Sequence, residues 1–553
     1  MKSHLLLAMI GTFSVIVGAQ NQEGFISLDC GLPIGESPYS DSYNGLRFTS
    51  DSNFIQTGKI DKVNKDLNII LSRQYLTLRY FPEGKRNCYS LDVTRGTNYL
   101  IVVSFVYGNY DGLNLDPNFD IYLGPNKWTK IDLKGNTNGT REEIIHKARS
   151  NTLDICLVKT GTTVPLISAI EIRPLRNNTY VTQSGNGSLM LSFRVYLSNS
   201  GDSIRFSDDV HDRIWSPFLG YSHSQITTTL NINNSNSYDE IPETVLQSAA
   251  TPKNASAPLI ITWDPTPTNA EVYLYMHFAE IQTLETNQTR EFDIILSGNF
   301  NYSGFSPPKL KVFTLYTEAP MKCGSDGCYL QLVKTPTSTL PPIMNALEAY
   351  SVIEFSQLET SPSDVDAIKN IKDTYRLSTI TWQGDPCLPR KFSWENLRCI
   401  YADVSSPPRI ISLDLSKNQL NGSIATSLQN LTQLQELDLS NNSLTRQVPT
   451  FLASMKSLSL INLSWNNLTG SVPQALLDRE KDGLVLKLDG NPYLCKVSSC
   501  NPKEKTIFLL SAIASAASLL VIVVVVALIF VFLKKKVPSG KSRAINHYRI
   551  VIN

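Results

Sequence analysis

The amino-acid sequence predicts a mostly β chain, built as two tandem β-sandwiches, a short solenoid of repeats and one transmembrane helix. Three observations carry that prediction. A duplication relates residues 25–180 to residues 181–356, a second repeat of period 24 begins at Leu413, and 27 uncharged residues run from Ile507 to Leu533.

The duplicated region is rich in Ile, Val, Tyr and Phe runs broken by Gly, Pro, Asn and Asp, which is strand-and-turn chemistry. Phe105 precedes Phe119-Asp120-Ile121 by the interval that separates Phe278 from Phe292-Asp293-Ile294. Leu157-Val158-Lys159-Thr160 is answered by Leu332-Val333-Lys334-Thr335, and Ala169-Ile170-Glu171 by Ala346-Leu347-Glu348. Ordered blocks at offsets of 173 to 177 mark duplication of one unit. Each copy has the roughly 150-residue size that encloses its own core.

Residues 361–405 read as a linker helix and a cysteine-pinned cap. Val365, Ile368, Ile371 and Tyr375 lie at helical spacing, and Ser363-Asp364 offers an N-cap. Gly384-Asp385-Pro386-Cys387, Trp394 and Cys399 follow. Over 406–500, Leu413-Asp414-Leu415 and Asn418, Leu437-Asp438-Leu439 and Asn442, and Ile461-Asn462-Leu463 and Asn466 repeat in phase. This is the leucine-rich-repeat pattern, in which each coil buries its apolar face against the next. The recurring Asn is placed to satisfy backbone groups in the bend after each strand. Leu484 to Cys500 is a degenerate closing repeat. Ser412, Asp414, Glu436, Asp438, Leu460 and Asn462 alternate with the core leucines and form the candidate concave face.

The Ile507–Leu533 run is long enough to cross a bilayer. Lys534-Lys535-Lys536 then opens a tail, 534–553, with six positive charges and no acid, as on a cytoplasmic side. Residues 1–19 read as a signal peptide, from Lys2 through an apolar stretch to Val17-Gly18-Ala19. A type I, single-pass plasma-membrane protein with an extracellular N-terminal region is expected. Twelve N-glycosylation sequons support it: Asn138, Asn177, Asn186, Asn233, Asn254, Asn287, Asn301, Asn421, Asn430, Asn441, Asn462 and Asn467, all before the span.

Nine cysteines precede the span, in an oxidising compartment. Close spacing pairs Cys323 with Cys328, Cys387 with Cys399 and Cys495 with Cys500. Cys30, Cys88 and Cys156 remain, an odd set whose pairing stays open. The formal net charge of +1 gives no nucleic-acid footprint.

Phe25-Ile26-Ser27-Leu28-Asp29-Cys30-Gly31-Leu32-Pro33, Phe81-Pro82-Glu83-Gly84-Lys85-Arg86-Asn87-Cys88-Tyr89 and Tyr107-Gly108-Asn109-Tyr110-Asp111-Gly112 are similar to plant malectin-like ectodomains. So are Met276-His277-Phe278-Ala279-Glu280-Ile281 and Leu340 to Glu348. With the Gly-Asp-Pro-Cys cap and the repeats, the chain resembles the plant malectin-like leucine-rich-repeat receptor-like kinases. Such proteins continue into a serine/threonine kinase. The twenty residues after Leu533 hold no Gly-rich loop, His-Arg-Asp or Asp-Phe-Gly, so no phosphoryl transfer is expected of this chain.

No other catalytic, metal or cofactor motif stands out: His-Glu-X-X-His, Gly-X-Ser-X-Gly and a Walker loop are absent from the sequence. The resemblance implies carbohydrate binding through loop aromatics and an acid, with Tyr107, Tyr110 and Asp111 as candidates. The second copy has His277-Phe278-Ala279-Glu280 where the first has Phe105 to Gly108, which puts sugar binding there in doubt. The expected function is a receptor for an extracellular carbohydrate or peptide, acting with a co-receptor kinase. A truncated or spliced receptor kinase and a non-signalling cell-wall-binding protein are the competing readings.

Overall fold

The computed structural model describes residues 22–496, except 66–70, 137, 184–186, 200, 235–239, 266–269, 298–299, 325–326, 378–380 and 404. The expected signal peptide, Asn186, Cys500, the span at 507–533 and the tail at 534–553 lie outside the described residues. Strand makes up 40% and helix 11%, so the mostly β expectation holds. Among the described residues, no helix is long and apolar enough to cross a membrane. The chain divides into two compact units. One holds the chain up to Asp414 together with Ala425–Leu437, the other Leu415–Ile424 and the chain from Asp438 on.

In the first unit, the strand Asn98–Phe105 lies between Ala169–Leu175 and Thr140–Lys147. A second sheet of Arg86–Asp92, Thr152–Val158, Asn118–Leu123 and Asn126–Asp132 faces it. Ile101, Val103, Phe105, Phe119, Ile121, Ile155 and Leu157 fill the space between as one buried cluster. Period-2 alternation is what sends these residues to a shared interior. The later half repeats the arrangement. Glu271–Phe278 pairs with Ala346–Glu354, and Phe292–Leu296 with Cys328–Lys334.

The registers repeat as well. Ile172 pairs with Ile101 and Ala349 with Leu274; Leu157 pairs with Ile121 and Leu332 with Ile294. Phe105 meets Phe119 with ring centroids 5.5 Å apart, and Phe278 meets Phe292 at 5.9 Å. The sequence duplication is thus a duplication of strand pairs.

The halves are not separate sheets. Thr140–Lys147 pairs with Gly187–Leu197, which pairs with Ala346–Glu354, making one twelve-stranded sheet. A buried ionic cluster sits at this seam. Arg194, with no exposed side-chain surface, donates to Glu143 at 2.7 Å, to Glu348 at 2.7 Å and to the Tyr350 hydroxyl. Arg213 bonds Asp209 and the Tyr180 hydroxyl, and Tyr180 donates to Glu348. Burial raises the pKa of Glu348, but Arg194 and a hydrogen bond from His277 outweigh it and hold the carboxyl well below the usual range.

The linker helix spans Pro362–Tyr375. Ser361, not Ser363, stands at its N-cap, without a side-chain cap bond. Asp364 is buried in the first turn instead, where it pairs with Arg409 at 2.9 Å and accepts from the Ile410 N–H. The Tyr375 hydroxyl accepts from Ala425 N–H, so the end of the helix meets the first repeat coil.

The cysteine set left open resolves into a Cys88–Cys156 bridge and a free, buried Cys30. Cys323–Cys328 and Cys387–Cys399 form as expected. The Cys495–Cys500 pairing falls on a residue outside the described set.

Gly384-Asp385-Pro386-Cys387 does more than cover the repeats. Gly384 has φ +63°, and a Cβ there would stand 2.8 Å from Cys88 Sγ and 3.0 Å from Cys156 Sγ. Arg86 donates to the carbonyls of Leu388, Asp385 and Gln383, and Cys88 N–H to the Gln383 side chain. The motif clamps the cap to the first sandwich, and only glycine fits so near the bridge.

In the second unit, asparagines form a ladder. Asn442 donates to the Leu415 and Leu439 carbonyls, Asn466 to Leu439 and Leu463, and Asn491 to Leu463 and Leu488. Their carbonyl oxygens accept from Leu420, Leu444 and Leu468 N–H. Each amide satisfies backbone groups that the bend leaves unpaired, in the role expected from the repeat.

Candidate functional site

Tyr107, Tyr110 and Asp111 occupy the turn that leaves the Asn98–Phe105 strand. Gly108 makes the turn possible: its φ is +50°, and a Cβ there would lie 2.4 Å from the Val63 side chain. Gly108 C=O accepts from Asn64 N–H at 2.9 Å, tying the turn to the neighbouring loop.

The structure brings the three candidates together, with their polar atoms turned on one another. The Tyr107 hydroxyl donates to the Asp111 carboxylate and accepts from Leu115 N–H at 3.1 Å. Burial, then the bond to Asp111, pushes the Tyr107 phenol up to about 12. Asp111 also accepts from Leu113 N–H. Tyr110 meets Tyr107 edge-on at 5.6 Å and tilts against Tyr80 at 4.8 Å. The loop also carries two exposed leucines, Leu113 and Leu115, which motif reading passed over. It presents a carboxylate and an apolar rim, on a base of three packed tyrosines.

The second copy's His277-Phe278-Ala279-Glu280 is structural. His277 bonds Glu348 and Thr314, Phe278 is fully buried, and Glu280 pairs with Arg290 at 2.6 Å.

A cleft of 1090 Å³ lies elsewhere in the first unit, between the first sandwich and the linker helix. Asn53, Gln56 and Ser90 line one wall with Glu83 and Asp92; Lys369, Lys372 and Arg376 line the other with Asp373. A spacing of three residues puts Lys369 and Lys372 on one helix face, and Arg376 follows at the left-handed C-cap, φ +52°. Beneath them Trp382 and Trp394 stack at 4.8 Å, and Lys372 Nζ donates to Trp382 C=O at 2.9 Å. Burial lowers the Lys372 pKa, and Lys369 adds repulsion.

The concave-face candidates fall in both units. In the first, Ser412 bonds Glu436, which pairs with Arg398. Asp414 is exposed. In the second, Asp438 accepts from Asn462 at 2.8 Å, and Leu460 is half-buried on the strand that pairs with Val485–Lys487. Of the eleven described sequon asparagines, ten are exposed, and Asn462 is half-buried in this bond. Among the described residues, no cluster of His, Cys, Asp and Glu has metal-site geometry.

The malectin-like domain family model matches residues 28–352, and the leucine-rich-repeat model matches 408–477. A probable leucine-rich repeat receptor-like protein kinase of Arabidopsis thaliana is 81% identical over 515 residues, covering 93% of this chain and 58% of the relative. The probable kinase MEE39 of the same plant is 55% identical, covering 96% of this chain and 60% of its own length. The chain therefore spans about three-fifths of the length of these curated relatives. Among solved structures, the ANX2 ectodomain of Arabidopsis thaliana aligns with TM-score 0.51 at 18% identity, over 60% of this chain and 98% of that one. The ANX1 ectodomain gives 0.51 at 17%, over 61% and 99%. These two share the fold.

Proposed function

This chain belongs to the malectin-like leucine-rich-repeat receptor-like kinase family, and from that premise we propose that it is a single-pass plasma-membrane receptor for an extracellular carbohydrate or peptide. Its matched domains are binding domains, so its own task is recognition, and signalling passes through partners such as a co-receptor kinase. The observation that carries this reading is the surface. Ten of eleven described sequons stand exposed on a β fold with open clefts. Tyr107, Tyr110 and Asp111 form the first-half carbohydrate contact. The cleft beside the linker helix, lined by Lys369, Lys372 and Arg376 together with Glu83, Asp92 and Asp373, suits a peptide of mixed charge. Ser412, Asp414 and Glu436 offer a co-receptor contact in the first unit; within the second, Asp438, Leu460 and Asn462 offer one of their own.

Protease protection of the full chain in sealed microsomes tests the topology. The expected result is a protected fragment holding residues 22–496 that shrinks when its glycans are removed. Digestion of the leucine-rich repeats from outside the vesicles overturns the reading. Sequencing the transcript beyond the codon for Asn553 tests the truncated-kinase alternative.

A further inference from the structure

The second half of the β region holds an open cleft of its own. The strand Ser216–Phe218 pairs in parallel with Gly187–Leu197, and His223–Thr227 pairs with Ser248–Pro252. The turn between them walls a space of 860 Å³, inside the roughly 300–1,000 Å³ range of small-molecule sites.

Its chemistry is specific. Tyr221 at the turn is fully exposed, at 101% of its reference area, and Phe218 is exposed at 44%. Neither ring is spent on a core, in contrast to Tyr107 and Tyr110. The Gln225 amide is fixed: it donates to Ser198 and Ser248 hydroxyls at 3.0 and 2.9 Å and accepts from Asn199 N–H. Gly220 leaves room for the His223 ring, since a Cβ there would lie 2.9 Å from Nδ1. His223 is 3% exposed, and burial lowers its pKa, so a neutral imidazole backs the wall. Ser224, Thr227 and Asn199 supply hydroxyl and amide groups.

The lining has one cation, Lys253, and no carboxylate. That composition favours neither a divalent metal nor a polyanion. Flat exposed aromatics beside neutral donors and acceptors fit a ligand with apolar C–H faces and an equatorial rim of hydroxyls. We propose that this cleft binds the pyranose rings of a neutral saccharide, with Tyr221 as the stacking platform.

Two sources offer that chemistry. One is a saccharide from outside. The other is the chain's own glycan on Asn254, an exposed sequon next to Lys253. The proposal deepens the carbohydrate arm of the receptor reading and rests on it.

Saturation-transfer difference NMR tests it, on the purified full chain with cellotetraose and N,N′-diacetylchitobiose as probes. Tyr221→Ala is expected to weaken binding by about tenfold, and Tyr221→Phe, which keeps the ring, to restore it. Binding that emerges only in Asn254→Gln, and is lost again with Tyr221→Ala, assigns the chain's own glycan as occupant and supports the cleft. Binding lost in Tyr107→Ala but unchanged in Tyr221→Ala overturns the cleft while the carbohydrate-receptor reading stands. No binding by wild type or Asn254→Gln overturns the cleft together with the carbohydrate arm, leaving the peptide arm and the topology to their own tests.

Discussion

The two halves of the β region share their strand registers but not their loops. Ile172 on Ile101 and Ala349 on Leu274 are the same pairing made twice. At the surface the halves diverge. The first packs Tyr80, Tyr107 and Tyr110 together and spends the Tyr107 hydroxyl on Asp111. The second leaves Tyr221 and Phe218 open beside a cleft. A duplicated core fixes side-chain volume and alternation, because packing is felt at the level of one methylene. Turns carry no such constraint, so recognition can differ between copies of one scaffold.

The comparison can be broken at the cores. Phe105→Ala and Phe278→Ala remove equivalent buried rings, and each should cost about 3–5 kcal/mol. Equilibrium denaturation of the full chain checks this. Unequal losses would mean that the shared register does not carry shared energetics.

The seam comes next. Arg194→Ala leaves Glu143 and Glu348 buried without their cation, for about 3–5 kcal/mol in a site already paired. It should also uncouple the halves, visible as two thermal transitions where wild type gives one across this region. A single transition with unchanged midpoint would show that the sheet hydrogen bonds alone join them.

Much of this was legible in the sequence, and the reasons are physical. The asparagine ladder follows from period 24, since one coil's geometry dictates the next. The Phe-Asp-Ile blocks fixed equivalent strands because alternation decides which face is buried. The Cys88–Cys156 bridge joins residues 68 apart, so spacing could not pair them. The seam draws Glu143, Arg194, Arg213 and Glu348 from distant strands, and scattered charges carry no local pattern. Gly384-Asp385-Pro386-Cys387 was recognisable as a motif, but its contact with a disulfide in another domain was not. The Tyr221 cleft was missed because the sequence comparison followed the first-half loop, and this turn has no counterpart motif there.

A smaller effect sharpens the link between sandwich and cap. Gly384→Ala meets both the positive φ and the Cys88–Cys156 bridge, for about 1–3 kcal/mol. Its melting temperature should fall while the repeat unit's own unfolding stays unchanged.

The pH response probes the buried carboxyls of the β region. Burial pushes Asp29 up to about 6 and both Glu142 and Glu359 up to about 7. Each binds its proton more tightly folded than unfolded. Their stabilisation is full below about pH 4 and fades as pH rises through 6 to 7. Asp212 is the reverse. Burial raises it, but Arg173 and Arg205 hold it at about 2, so its contribution exists above about pH 4 and fades toward pH 2. The melting temperature should therefore peak near about pH 4–5. A flat profile from pH 4 to 8 would contradict the raised carboxyls.

Hydrogen–deuterium exchange of the full chain, with and without cellotetraose, tests most directly whether the β region is a saccharide-recognition surface. The account predicts slowed exchange in peptides covering 216–227, with the buried strand Asn98–Phe105 unchanged. Identical exchange throughout residues 22–356 at saturating oligosaccharide, in wild type and in Asn254→Gln alike, would contradict it.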